Sequence, residues 1–240
     1  AGLVGQSGAF LAPPAIASWD GSAWSAFPAG PTLKTLRLRA DDSGRLVAGG
    51  VQTTAGGDLE LQRWNGGAWE SPWAPTNGHY VSDFLLRADG PWLGGSGLNE
   101  TVNSDLARWD GVLFGPPDGC EFYGQFSYGF NALLDWGGRI VAGTDQSMEA
   151  SCLTSLGANL FIREGTQWSV LGDGTAPTPS GEITSLVEHE GGVVVGAIGR
   201  EWVDGAYLDA WPISLERPAA RWDGVAWHDM SSGALFVTAL

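Results

Sequence analysis

Cys120 and Cys152 are the two cysteines of the chain. A single pair of thiols can oxidise to one bridge, and we expect a disulfide here. Closing a loop of this size stabilises by about 3–4 kcal/mol in the chain-entropy model, and a disulfide implies an oxidising compartment. Aromatic residues gather near these cysteines in sequence: Phe122, Tyr123, Phe126 and Tyr128, then Trp202, Tyr207 and Trp211 further on. With Glu149, they offer the chemistry of glycan recognition, in which rings stack on sugar faces and carboxylates accept from hydroxyls. Tyr and Trp equally suit a protein interface. The competing reading is a satellite core, in which long loops fold onto their own aromatics. Acidic residues in the same stretches, such as Asp145, Glu201, Asp204 and Asp209, offer oxygens to Ca²⁺. No Asp-x-Asp-x-Asp-Gly run supports that metal.

Other chemistry finds little support. His79, His189 and His228 are far apart in sequence, and there is no His-x-x-x-His, Cys-x-x-Cys or Gly-x-Ser-x-Gly. Gly49-Gly50 ends an apolar strand pattern rather than opening a helix, so it is no phosphate loop. No catalytic residue, metal site or cofactor is expected. The net charge is −15, and Lys34 is the one lysine. Duplex binding needs a basic stripe to displace phosphate counterions, so a nucleic-acid partner is not expected. An anionic membrane surface is disfavoured for the same reason. No run of 18 apolar residues suggests membrane insertion by a helix. The chain begins at Ala1 without a signal-peptide pattern and reads as a mature or trimmed product. Asn99-Glu100-Thr101 is a lone glycosylation sequon.

The elements that must carry these residues are written in a repeat. Trp-Asp-Gly or its variant recurs at Trp19 to Gly21, Trp64 to Gly66, Trp109 to Gly111 and Trp222 to Gly224. Arg163-Glu164-Gly165 is an eroded fifth copy, and an aromatic follows each Gly by three residues. Each unit opens with an apolar pair, namely Leu33-x-x-Leu36, Val81-x-x-Phe84, Phe130-x-x-Leu133 and Ile183-x-x-Leu186. A polar turn and a Gly-ended second strand follow, as in Arg45-Leu46-Val47-Ala48-Gly49. Glycine at 37 of 240 residues, about twice the usual share, and thirteen tryptophans fit an all-β repeat. Asn-Gly and Asp-Gly favour two-residue hairpins with positive φ at both central positions. We therefore expect hairpin tips at Asn65-Gly66 and Asp110-Gly111, with the motif tryptophans in the core.

The Arg-Trp-Asp-Gly tips (Arg108 to Gly111, Arg221 to Gly224), the Val47 to Gly50 strand and Gln52 to Gly57 resemble the kelch-like, Trp-Asp-Gly type propellers of secreted or cell-surface bacterial proteins. The resemblance covers nearly the whole chain. It implies a fold and an adhesive or scaffolding role, and carries over no catalytic residue.

The expected fold is an all-β, five-bladed β-propeller of four-stranded antiparallel blades. Its blades are 233–240 plus 1–27, 33–73, 79–117, 128–172 and 181–230. Val237 to Leu240 reads as a first strand and Gly2 to Gly5 as a second, so the N- and C-terminal strands should share the closing blade. The first-strand apolar residue precedes the second-strand Gly by 10 to 13 positions elsewhere, whereas Leu240 to Gly5 leaves only five. Tight turns should mark one side of the ring and long loops the other, where binding residues usually sit. The expected role is a non-catalytic extracellular module binding a glycan or protein partner. The alternative is a structural subunit that self-associates in an assembly. A glycosidase ranks third. It would use carboxylates at the channel, with Asp135 and Glu188 as candidates, although both adjoin tight turns.

Overall fold

The computed structural model describes residues 16–27, 30–52, 58–73, 80–99, 104–123, 129–153, 158–172, 182–198, 201–203, 206–208 and 219–230. Among them the chain is all strand and turn, apart from a 3-10 turn at Pro117–Gly119. A hairpin joins β1 (Ala17–Trp19) to β2 (Trp24–Ala26). Sheet I is β3 (Leu33–Ala40), β4 (Leu46–Gln52), β5 (Leu59–Trp64) and β6 (Trp69–Glu70). Sheet II is β7 (Tyr80–Leu85), β8 (Trp92–Asn99), β9 (Ser104–Trp109) and β10 (Phe114–Gly115). In sheet III, β11 (Phe122–Tyr123) and β12 (Phe130–Trp136) both pair with β13 (Arg139–Ala150), followed by β14 (Ala158–Glu164) and β15 (Gln167–Val170). Sheet IV begins with β16 (Glu182–His189) and β17 (Gly192–Ile198). A separate hairpin, β18 (Glu201–Val203) with β19 (Ala206–Leu208), precedes its last strands, β20 (Ala219–Trp222) and β21 (Trp227–Asp229). All pairings are antiparallel, and apart from β11 the four strands of each of these sheets neighbour in chain order, as in propeller blades.

The sheets stack in chain order, and sheets II and III, which lie between neighbours, are apolar on both faces. Ile140 and Ala142 pack with Trp92 and Leu106 of sheet II, while Val141 between them packs with Ile183 and Val195 of sheet IV. Val47, Leu59 and Leu61 of sheet I meet Val81, Phe84 and Leu93 of sheet II in the same way. Period-two alternation thus serves two neighbours at once. Each fully buried side chain contributes about 1.5–3 kcal/mol. Gly49, Gly94 and Gly143 occupy one register position, opposite Arg37, Asp83 and Ala132. A Cβ on Gly49 would stand 2.8 Å from Phe84, one on Gly94 3.0 Å from Phe130, and one on Gly143 would overlap Ile183. The second-strand glycine is therefore where the next sheet's first strand comes closest.

First strands share a bulge at Thr35/Arg37, Val81/Asp83, Phe130/Ala132 and Ile183/Ser185. This corrects the expected first pair. Aligned on the bulge, Thr35-x-x-Leu38 matches Val81-x-x-Phe84, and Leu36 is the bulged residue. The spacing to the second-strand Gly then becomes 11 rather than 13 in sheet I, against 10 elsewhere.

The tips also differ from expectation. Trp19 pairs with Trp24, Trp64 with Trp69, Trp109 with Phe114 and Trp222 with Trp227, leaving four residues in each loop. Only the glycine has positive φ, between 102° and 108° at Gly21, Gly66, Gly111 and Gly224. The residue before it caps the loop instead. Asp110 Oδ1 accepts from the N–H groups of Val112 (2.8 Å) and Leu113 (2.9 Å), and Asn65 Oδ1 does the same for Gly67 and Ala68. The eroded copy is the two-residue tip, with Glu164 paired to Gln167. The paired tip aromatics pack across each hairpin, with centroids 5.1 to 5.7 Å apart. They lie on outer strands, so Trp64, Trp109 and Trp222 are only partly buried, and Trp19 and Trp24 are half exposed. The expectation holds for the later aromatic of three copies, since Phe114, Trp168 and Trp227 are buried, while Trp92 and Trp136 are buried tryptophans outside the motif. The pairing of 233–240 with 1–5 lies outside the described residues.

Candidate functional site

Within each sheet, turns one-to-two and three-to-four share an edge, and among the described sheets they span two to six residues. The opposite edge carries the extensions of β8 and β13, the β18–β19 hairpin and the disulfide. Cys120 and Cys152 are bonded, with Cα atoms 5.2 Å apart, as expected. Cys120 ends the 3-10 turn that leads from sheet II to sheet III, and Cys152 follows β13. The bridge thus ties an inter-sheet connection to a within-sheet one. Ser151 reinforces it: its N–H donates to Glu121 O, and its hydroxyl accepts from Glu121 N–H, both at 2.9 Å.

The predicted binding residues divide. Phe122 is a correction: it is 0 % exposed. Its ring packs edge-on against Phe130 (5.2 Å), Phe161 (5.4 Å) and Trp168 (4.9 Å). Here the satellite-core reading holds, because β11 extends the edge of β12 and folds its apolar side chain inward. Tyr123 stands opposite Glu149, and Phe122 opposite Ala150. Asp145, Met148 and Glu149 lie within β13 rather than in a loop, which is a second correction: β13 runs on to pair with β11 and Ala158. Trp202 and Tyr207 stand opposite each other in the β18–β19 hairpin. Phe126, Tyr128 and Trp211 lie outside the described residues. Among the described residues, no three His, Cys, Asp or Glu side chains gather as a metal site.

Asp135 and Glu188 lie at the tight-turn edge and are exposed. Asp135 ion-pairs with Arg87 and accepts from Gly138 N–H at 2.9 Å, so it ties sheet II to a sheet III turn.

Two charged centres escaped the sequence reading. Asp83, a buried carboxylate, takes Arg39 Nη2 from sheet I at 2.8 Å and Leu133 N–H from sheet III at 2.9 Å. It links three sheets through one carboxylate. The other explains Arg163, which stands where a tip tryptophan is expected. Asp118 of the preceding connection accepts from Arg163 Nε at 2.5 Å and pairs with Arg108 at 3.7 Å. Both guanidinium carbons lie over the buried Trp92 ring, at 4.9 and 5.6 Å from its centroid. The departure from the repeat is thus structural, matched to its neighbour. A polar residue amid an apolar strand could have flagged Asp83, but no sequence signal points to Asp118.

No protein-family model matches the chain, and no curated protein matches it either. The reading of its function therefore rests on geometry. No described helix is long and apolar enough to cross a membrane.

Proposed function

We propose that the chain is a non-catalytic extracellular five-bladed propeller, closed by its terminal strands, that binds a glycan or protein partner through the long-loop edge. The observation that carries this reading is the disulfide at that edge. It anchors β11 and the 116–121 connection to β13 while the opposite edge keeps short turns. A binding surface gains affinity when its loops are held before the partner arrives. Tyr123 with Glu149 and Trp202 with Tyr207, each pair opposed in register, give that edge aromatic and acidic positions. The resemblance to secreted Trp-Asp-Gly type propellers and the disulfide both agree with an extracellular setting.

A glycan array tests the sugar arm, and affinity capture from surface extracts tests the protein arm. Binding that falls at least tenfold in Trp202→Ala/Tyr207→Ala, with unchanged melting, is the expected result. No binding in either format would count against the reading. One observation favours the alternative of an assembly subunit. The tips on the tight-turn edge expose Val112 (74 %), Leu113 (52 %) and Val225 (86 %). Concentration-dependent multimers that disappear in Val112→Ser/Val225→Ser would favour it.

A further inference from the structure

A residue just beyond each fourth strand reaches over the tip of the next sheet. Phe27, three residues after Trp24, sits edge-on to Trp64 at 5.0 Å and near Trp69 at 6.0 Å. Trp73, after β6, shares a cluster with Trp109 and Phe114 of sheet II. Asp118, after β10, takes Arg163 of sheet III. Leu171, after β15, clusters with Trp227 of sheet IV, and its neighbour Gly172 would place a Cβ 2.7 Å from the Trp227 ring nitrogen. Four successive junctions are fastened this way, by three apolar contacts and one ion pair.

Met230 occupies the fifth such position. It follows Trp227 by three residues, as Phe27 follows Trp24 and Leu171 follows Trp168. Its backbone is fixed in the same manner. Met230 N–H donates to Ala219 O at 3.0 Å, just as Phe27 N–H donates to Ile16 O (2.7 Å) and Leu171 N–H to Leu160 O (3.0 Å). Yet Met230 is 44 % exposed, and among the described residues the tip pair that is comparably open is Trp19 (50 %) with Trp24 (49 %). A thioether suits an aromatic pair of this kind, since sulfur–ring contacts are favourable and methionine adapts to irregular gaps.

We propose that Met230 seats on the Trp19–Trp24 pair of the same chain, as the fifth fastening in the series. The partner is argued from continuity with four junctions, all made within one chain between consecutive sheets. This rests on the closed-ring reading, and supplies a contact separate from the pairing of the terminal strands. It assigns to the hairpin β1–β2 the role of receiving surface for the last sheet.

The chain has two methionines, Met148 and Met230, so ¹³C-methyl labelling gives two signals, and Met148→Leu assigns them. In the intact protein the Met230 methyl is expected upfield of free methionine, shifted by the indole ring currents. Trp24→Leu should return it most of the way. If that variant does not fold, cross-relaxation from the methyl to the Trp19 and Trp24 indole protons in the parent gives the same reading. A Met230 signal at the free position, or one unmoved by Trp24→Leu, overturns the proposal. So does a shift that vanishes on dilution, which would place the methionine on a second copy. If residues 3 and 237 are shown to be close while the Met230 methyl stays free, the ring stands and this fastening does not.

Discussion

At the scale of single residues, the tip loops show how a short motif encodes a turn. The first loop residue supplies an acceptor oxygen, the glycine supplies positive φ, and the flanking aromatics pack across the hairpin. Gly111 has φ +108°, and no atom lies within 4 Å of where a Cβ would stand. The cost of Gly111→Val should therefore come from backbone strain alone, about 1–3 kcal/mol. An unchanged melting temperature would contradict the tip assignment. The acceptors titrate. Asp20 is held below its ordinary pKa of 3.8 chiefly by the Ala23 and Ser22 N–H groups, and Asp110 by those of Leu113 and Val112. Asp223 is held down by the Ala226 N–H and by His228. The native state thus binds fewer protons than the unfolded chain on the acid side. The stability these groups add is whole above about pH 4 and is lost as pH falls below it. Asn65 makes the same two bonds without titrating. Asp20→Asn/Asp110→Asn/Asp223→Asn should then keep the tips and flatten the acid limb of melting temperature against pH. The parent's acid profile in that triple variant would contradict the cause assigned. Trp-Asp-Gly recurrence made the tips legible in sequence. Their loop length was not, because Asp-Gly suits a two-residue turn as well, and the carboxylate's use as a cap decides between them.

At the scale of elements, the disulfide and β11 belong to one device. Cys120 and Phe122 lie in the same buried cluster, so the bridge pins a strand whose aromatic completes the core between sheets II and III. Cys120→Ser/Cys152→Ser should lose about 3–4 kcal/mol in denaturant unfolding, as expected for a loop closed across 32 positions. Stability equal to the parent would show that β11 holds its place without the bridge. The cysteine pairing was legible because only two thiols exist. The fate of Phe122 was not: an aromatic beside a loop cysteine has no periodicity to tell inward from outward. The extension of β13 was hidden likewise, since Asp145 to Glu149 is polar but for Met148 and carries no strand alternation. Leu36 was misread because a bulge breaks period two, and a bulge leaves no mark in a single copy.

At the scale of the whole molecule, four sheets stack in chain order, the two inner ones apolar on both faces, with glycines where neighbours come closest. Sheet III shows how neighbours depend on one another: its β13 feeds Ile140 to one neighbour and Val141 to the other. In the proposed ring, the β1–β2 hairpin would be the further neighbour of the last sheet. Repeat arithmetic made this architecture legible, while the charged links Arg39–Asp83 and Arg163–Asp118 were not, since they join positions far apart in sequence. The central claim is that the terminal strands seal the ring. A nitroxide at Leu3→Cys tests it most directly, read as paramagnetic broadening of the Val237 amide in labelled protein diluted with unlabelled, diamagnetic chain. The account expects that amide to be broadened beyond detection at every dilution. A sharp Val237 signal would contradict it.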